Sequence, residues 1–181
     1  GSNALAGASG QSAGGGGGAG YQISRSLRFN SADSAYLNRT PTSAGNRKTF
    51  TWSGWVKRTV LGADKFIFSA GSDPANFHYL RFQSNNTLEA TEKIGDSVQS
   101  SLITSAVYRD PSAWMHIVYV YDSTQSTAAD RLSLYVNGAK VTAFSTSTYP
   151  SQNHDSYINS TSGHFINARP NPAGYADAYL T

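Results

Sequence analysis

Glu89 and Glu92 are the only glutamates in the chain, and glycosidic hydrolysis generally needs two carboxyls flanking the scissile bond. Both fall in the run Thr87–Glu92, which reads as a strand, and residues three apart on a strand point to opposite faces. They therefore do not converge on one substrate, and they read as polar residues on a strand and its end. The histidines His78, His116, His154 and His164 show no metal-ligand spacing, and the chain has no cysteine to complete a zinc site. No serine sits in a G-x-S-x-G elbow. The glycines Gly14 to Gly18 lack the Lys-Ser/Thr of a phosphate loop. No catalytic residue and no metal ligand is assigned, and the chain is expected not to be an enzyme.

Recognition chemistry is better represented. The stretch Thr148-Tyr149-Pro150-Ser151-Gln152-Asn153-His154-Asp155-Ser156-Tyr157 combines two aromatic rings with planar polar groups and has no apolar alternation to commit to a core. Rings beside amide, imidazole and carboxylate groups suit a sugar, and loops on rigid scaffolds commonly carry binding. Tyr149, Asn153, His154, Asp155 and Tyr157 are the first candidate ligand-binding residues. Tyr108 and Arg109, before the Asp110-Pro111 turn, are a second set. The alternative is an ordinary turn between strands.

The elements that must position these loops are strands. Apolar residues alternate at Ile23, Leu27 and Phe29, then at Phe50, Trp52 and Val56, the period of a half-buried strand. Further strands are predicted at Lys65–Ala70, Phe77–Gln83, Thr87–Glu92, Trp114–Tyr121 and Arg131–Val136. The Trp114–Tyr121 run carries aromatic and β-branched residues throughout, as a strand covered on both faces would. Turn clusters separate them, notably Gly71-Ser72-Asp73-Pro74 and Asp110-Pro111-Ser112. Asn137-Gly138, between Leu132–Val136 and Ala139–Val141, predicts a type I′ hairpin. Many short strands without helical periodicity argue for a sandwich or barrel.

Composition narrows the class. The 181 residues suit one domain. Only 14% are charged, so the surface must be built from Ser, Thr, Asn, Gly and Tyr. The net charge of +3 is scattered and makes no basic stripe for nucleic acid. No apolar run is long enough for a membrane helix, and the first twenty residues lack the pattern of a signal peptide. Residues 1–20, rich in Gly, Ala and Ser, read as a flexible leader. The chain opens at Gly1 and its one methionine is Met115, so it is expected to be a processed product or fragment, with Gly1-Ser2-Asn3-Ala4 resembling a cloning remnant. Sequons at Asn38, Asn85 and Asn159 matter only in a secreted eukaryotic chain, and nothing else points to one.

Four segments carry a family resemblance. Phe50-Thr51-Trp52-Ser53-Gly54-Trp55-Val56-Lys57-Arg58, Trp114-Met115-His116-Ile117-Val118, Leu134-Tyr135-Val136-Asn137-Gly138 and Gly174-Tyr175-Ala176-Asp177 resemble, in order and spacing, strands of concanavalin A-like and laminin-G-like jelly rolls. The resemblance covers Ser26 to Thr181 and implies an all-β, antiparallel two-sheet jelly-roll sandwich over residues 21–181. His116 then occupies a structural strand position. The run from Ser26-Leu27-Arg28-Phe29-Asn30 to Gly45-Asn46-Arg47-Lys48-Thr49 is similar to jelly-roll segments of bacteriophage virion and tail-fibre proteins, often found behind glycine-rich tracts.

That resemblance sets the expectations for function. Relatives often hold Ca²⁺ through loop oxygens, which makes Asp73, Asp96, Asp122 and Asp155 the places to look, although no two of them form a ligand string. No other cofactor is expected. The leading expectation is a non-enzymatic module on a virion surface or tail fibre that recognises host carbohydrate. The alternative is a structural decoration or assembly protein whose partners are other virion subunits or further copies of itself. A glycan hydrolase is a distant third. Only the opening residues of the closing strand precede Thr181, so a neighbour is expected to complete that edge. Neither nucleic acid nor membrane insertion is expected.

Overall fold

A strand that buries one face against a second sheet needs side chains alternating in and out, and the chain supplies this pattern repeatedly. The computed structural model describes residues 26–171 and 178–180. Among them lie β1 Leu27–Phe29, β2 Leu37–Arg39, β3 Thr49–Arg58, β4 Lys65–Asp73, β5 Asn76–Phe82, β6 Thr87–Ile94, β7 Ser97–Val107, β8 Trp114–Asp122, β9 Leu132–Val136, β10 Ala139–Lys140, β11 Phe144–Thr148, β12 Gly163–Ile166 and β13 Ala178–Leu180. Two 3₁₀ turns, Ser31–Asp33 and Ala128–Asp130, are the helical elements among these residues. The predicted leader and Gly174–Asp177 lie outside the described residues.

The strands form two sheets with every pairing antiparallel, a jelly-roll sandwich. One sheet runs β1-β13-β3-β8-β9-β10 and the other β11-β7-β6-β5-β4-β12-β2. Between them lies one core, in which Val56, Met115, Ile117, Tyr119 and Leu134 meet Leu80, Phe82, Leu88, Ala90 and Leu102. Full burial of a large apolar side chain contributes about 1.5–3 kcal/mol, so this layer dominates stability. Phe50 stacks on Tyr121 at 4.8 Å within it. The Asn137-Gly138 hairpin forms as expected: both residues have positive φ, 52° and 79°, and they join β9 to β10.

Three expectations need correction. β8 is buried on one face only, with Trp114 exposed and His116, Val118 and Val120 half-exposed. Its β-branched and aromatic residues on the outer face lie against cross-strand neighbours on β3 instead of a covering layer. Gly71 and Ser72 belong to β4, and the reversal falls at Pro74-Ala75. β7, the longest strand, has no counterpart in the sequence reading because its serines and a bulge opposite Glu92/Lys93 break the alternation.

The seven-stranded sheet also buries part of its outer face. Phe66, Phe77 and Tyr79 cluster there, with the Arg81 guanidinium over Phe66 and Tyr79. Arg81 is fixed in turn by Glu89 and Asp64, each at 2.5 Å. Gly71 lies at a bulge in β4, where a Cβ would meet the Phe77 backbone and the Asn76 carbonyl. Neither can retreat as a flexible side chain would. Gly71→Ala is therefore expected to cost about 1–3 kcal/mol, read as a lowered denaturant midpoint with an unchanged slope.

Candidate functional site

The candidate loop that follows β11 is built on a charge inside the sandwich. β6 turns Glu92 inward, opposite His78 of β5 and Ser100 of β7, and the side chain is fully buried. An unpaired carboxylate there would cost several kcal/mol, so its partners matter. Oε2 accepts a hydrogen bond from His154 Nε2 at 2.9 Å and Oε1 one from the Tyr157 backbone N–H at 2.7 Å. The His78 imidazole lies 3.8 Å away, bonded through Nδ1 to Ser156 Oγ at 2.7 Å and through Nε2 to Tyr119 OH at 3.0 Å. Ser156 Oγ also accepts the Ile158 N–H at 3.0 Å. The buried charge thus holds the loop from inside at His154, Ser156 and Tyr157.

Other elements pin the same loop from outside. Arg47 Nε donates to the Ser156 carbonyl at 2.6 Å, and the Arg47 carbonyl accepts the Ser156 N–H. Ser123 Oγ donates to the His154 carbonyl at 2.8 Å, and Arg131 Nη1 to the Pro150 carbonyl at 2.8 Å. Asn153 and Asn159 stand at φ 62° and 63°, a conformation asparagine tolerates better than most residues. Pro150, Ser156 and Ile158 are buried, so the loop contributes to the core at one end of the sandwich while presenting Gln152, Asn153 and Asp155 to solvent.

The electrostatics follow from the burial. Desolvation opposes the Glu92 charge, but His78, the His154 hydrogen bond and the Tyr157 N–H outweigh it, so the carboxyl titrates below its ordinary range. Burial holds His78 below the ordinary imidazole value, against the pull of Glu92. His154 is raised, first by its hydrogen bond to Glu92, with desolvation opposing.

The candidate residues fall into different roles. Tyr149 is half-buried and packs against the core, Tyr157 is half-exposed, and Asn153 and Asp155 are exposed. His154 commits its Nε2 to Glu92, which makes it a positioning residue. Tyr108 and Arg109 lie at the opposite end of the seven-stranded sheet. Val107 pairs with Thr87 while Ser100 pairs with Glu92, so the two sets are separated by about 17 Å along β6. Tyr108 packs edge-on to Phe82, and its carbonyl accepts from Arg58 Nη1 at 2.5 Å. Arg58 is buried, its pKa lowered to about 10 by desolvation. Arg109 is exposed.

The carboxylates are already engaged. Glu89 and Glu92 do face opposite sides of β6, but both are buried, which corrects the expectation of ordinary polar positions. Glu89 accepts from Tyr79 OH, Arg81 Nε and Gln83 Nε2. Asp73 caps Ala75 and Asn76, and Asp122 caps Thr124 and Gln125, as turn aspartates do. Among the described residues no three His, Cys, Asp or Glu side chains form a metal-binding group.

Sequence reasoning missed an aromatic surface. Trp55 and Trp114 are exposed on the outer face of the six-stranded sheet, beside His116, whose ring lies 5.1 Å from Trp55 and whose Nε2 meets Ser53 Oγ at 2.9 Å. The signal was present: Trp52 and Trp55 are three apart, so one must face outward if the other is core.

A family model described as the concanavalin A-like lectin/glucanases superfamily matches residues 29–177. The chain belongs to that superfamily. No curated protein sequence matches it. Among solved structures it is similar to domains LG4-5 of the mouse laminin alpha1 chain, with a TM-score of 0.62 and 11% identity over 87% of this chain. The match takes in 40% of the laminin chain, so this chain spans well under half of that relative. It is also similar to a heptameric SAP-like pentraxin from Limulus polyphemus, with a TM-score of 0.55 and 15% identity over 81% of this chain and 68% of the other. A third similarity is to the Ruminococcus gnavus IT-sialidase CBM40 bound to alpha2,6 sialyllactose, with a TM-score of 0.55 and 12% identity over 76% of each chain. At these identities the likeness is one of superfamily fold.

The network sets a pH dependence. The raised His154 contributes stability that is full below about pH 6.5 and is lost as pH rises through its folded value. The depressed His78 and Glu92 contribute above their ordinary values of 6.5 and 4.5, and that stability is lost as pH falls through their folded values. Thermal stability should therefore decline on both sides of a slightly acidic maximum. Glu92→Gln should cost about 2–3 kcal/mol, speed exchange of the Tyr157 amide, and abolish the decline on the alkaline side.

Proposed function

We propose that the domain is a non-catalytic carbohydrate-recognition module carried on the surface of a virion or tail fibre, with the loop after β11 as its binding site. The observation that carries this reading is the pinned loop. Glu92, Arg47, Ser123 and Arg131 fix its backbone and His78 its Ser156 side chain, while Asn153 and Asp155 remain exposed and Tyr157 partly so. A ligand meeting such a loop does not have to order it, and preorganisation of that kind favours affinity. In this reading Tyr149 and Tyr157 offer ring faces, Asn153 and Asp155 hydrogen-bond hydroxyls, and His154 holds the loop in place. Tyr108 and Arg109, at the far end, would serve only a separate contact.

Two further observations support it. The superfamily includes lectins by its description, and one structurally similar domain is a sialidase CBM40 solved with sialyllactose. The engagement of Glu89 and Glu92 in separate buried networks favours binding over hydrolysis. The virion setting rests on the likeness of Ser26 to Thr49 to phage jelly-roll segments and on the glycine-rich leader. The reading requires no calcium.

A glycan array that includes sialylated oligosaccharides tests it. The protein should bind a defined subset, an Asp155→Ala/Tyr157→Ala variant shown to be folded should lose at least about tenfold in affinity, and chelation of divalent ions should change nothing. Silence across the array from folded protein would move the assignment to a structural role among virion subunits. Binding abolished by the chelator would instead place Ca²⁺ at the loop aspartates.

A further inference from the structure

The partners of His164 leave its protonation no choice. The residue stands half-buried in β12, between Arg39 of β2 and Ala70 of β4. The Asn159 backbone N–H can only donate, and it meets Nε2 at 2.9 Å. The Ser162 carbonyl can only accept, and it meets Nδ1 at 2.9 Å. The ring is therefore neutral, with its one proton on Nδ1. A second proton, on Nε2, would set two N–H groups against each other and break the bond to Asn159.

That bond matters because of what Asn159 holds. Its carbonyl accepts the Gly45 N–H at 2.8 Å, and its Nδ2 donates to the Asn46 carbonyl at 2.7 Å. The next residue in that turn, Arg47, holds the Ser156 backbone through both its own carbonyl and its Nε. His164 thus fixes Asn159, Asn159 fixes residues 45 and 46, and Arg47 fixes the loop after β11.

We propose that His164 is an acid-sensitive latch: protonation of its Nε2 frees Asn159, loosens the grip of Arg47 on Ser156 and opens the loop after β11. This is a regulation of the site proposed above. Its consequence, release of a bound glycan on acidification, rests on that reading, whereas the latch itself rests on the hydrogen bonds of His164.

The surroundings favour the neutral ring. Burial holds His164 below the ordinary imidazole value, the Ser162 carbonyl pulls the other way, and Arg39 adds to the depression. From β4 it faces Ala70 and the uncharged Phe68 ring, 6.2 Å away. Among the described residues no carboxylate offsets a second proton on it. His154, at the same end, is raised by Glu92 instead, so the two histidines titrate in opposite senses. A depressed histidine contributes stability that is full above 6.5 and lost as pH falls through its folded value. Protection of the Asn159 amide should fall over that window with the slope of one proton, about tenfold per pH unit at most.

The test follows the free 181-residue protein by NMR from neutral to acid pH. Nitrogen shifts should show a bare Nε2 on His164 at neutral pH. Its titration should coincide with loss of amide protection at Asn159 and Ser156, while the amides of β8 stay protected. In His164→Gln, whose Oε1 keeps an acceptor without a titrating proton, the acid loss at Asn159 should disappear. The contributions of His78 and Glu92 should persist in that variant at the Tyr157 amide. An Nε2 proton at neutral pH, an Asn159 amide indifferent to the His164 titration, or a loss that extends equally to β8 would overturn the latch. So would an unchanged acid loss at Asn159 in the glutamine variant. The first three readouts use the unmodified chain and decide the matter even if the variant fails to fold. No glycan is added, so a negative result counts against the latch and not against the glycan reading.

Discussion

A carboxylate buried between two sheets constrains everything near it. Glu92 cannot be desolvated alone, so the closure of that end of the sandwich depends on bringing His154 and the Tyr157 amide onto its two oxygens. These partners lie more than sixty residues away along the chain. His78 and Ser156 extend the arrangement to Tyr119 in the opposite sheet, so one polar network ties both layers and the loop together. Apolar side chains would have closed the end as tightly, and often more stably. A charged anchor adds direction, because its two oxygens must meet donors at set positions on His154 and the Tyr157 backbone. The same network makes that end sensitive to pH.

This constraint was invisible in the sequence for a physical reason. In Thr87-Leu88-Glu89-Ala90-Thr91-Glu92 a glutamate occurs at both parities, so alternation alone cannot say that one is core. The inward direction of Glu92 is set by Leu88 and Ala90, its neighbours on the buried face. That made its parity legible, while its burial depended on a distant loop. Where local and tertiary signals agree, legibility was high. The Phe50–Val56 alternation and the Asn137-Gly138 turn each specify their element without help from elsewhere, and both stand in the structure. β7 was lost because inner positions such as Ser100 and Thr104 carry hydroxyls. Thr104 Oγ1 accepts the Leu88 N–H there, a hydrogen bond within the fold that no local pattern announces.

The candidate site shows the same division. The loop was found by composition, since Tyr, Asn, His and Asp without apolar alternation imply something other than a plain strand. Composition could not sort those residues into anchors and exposed groups. His154 looks identical to a ligand-binding histidine until its partner Glu92 is known. Tyr149 looks like an exposed ring until the core beneath it is seen. Trp55 shows the reverse case. It was quoted within a strand and given no role, yet parity relative to Trp52 already placed it outside.

At the loop end, side-chain and backbone hydrogen bonds fix the chain from both faces, and the groups left outward are small, polar and already positioned. A hydrophilic ligand that must be recognised hydroxyl by hydroxyl suits that surface, because rigidity there lowers the entropic cost of directional contacts.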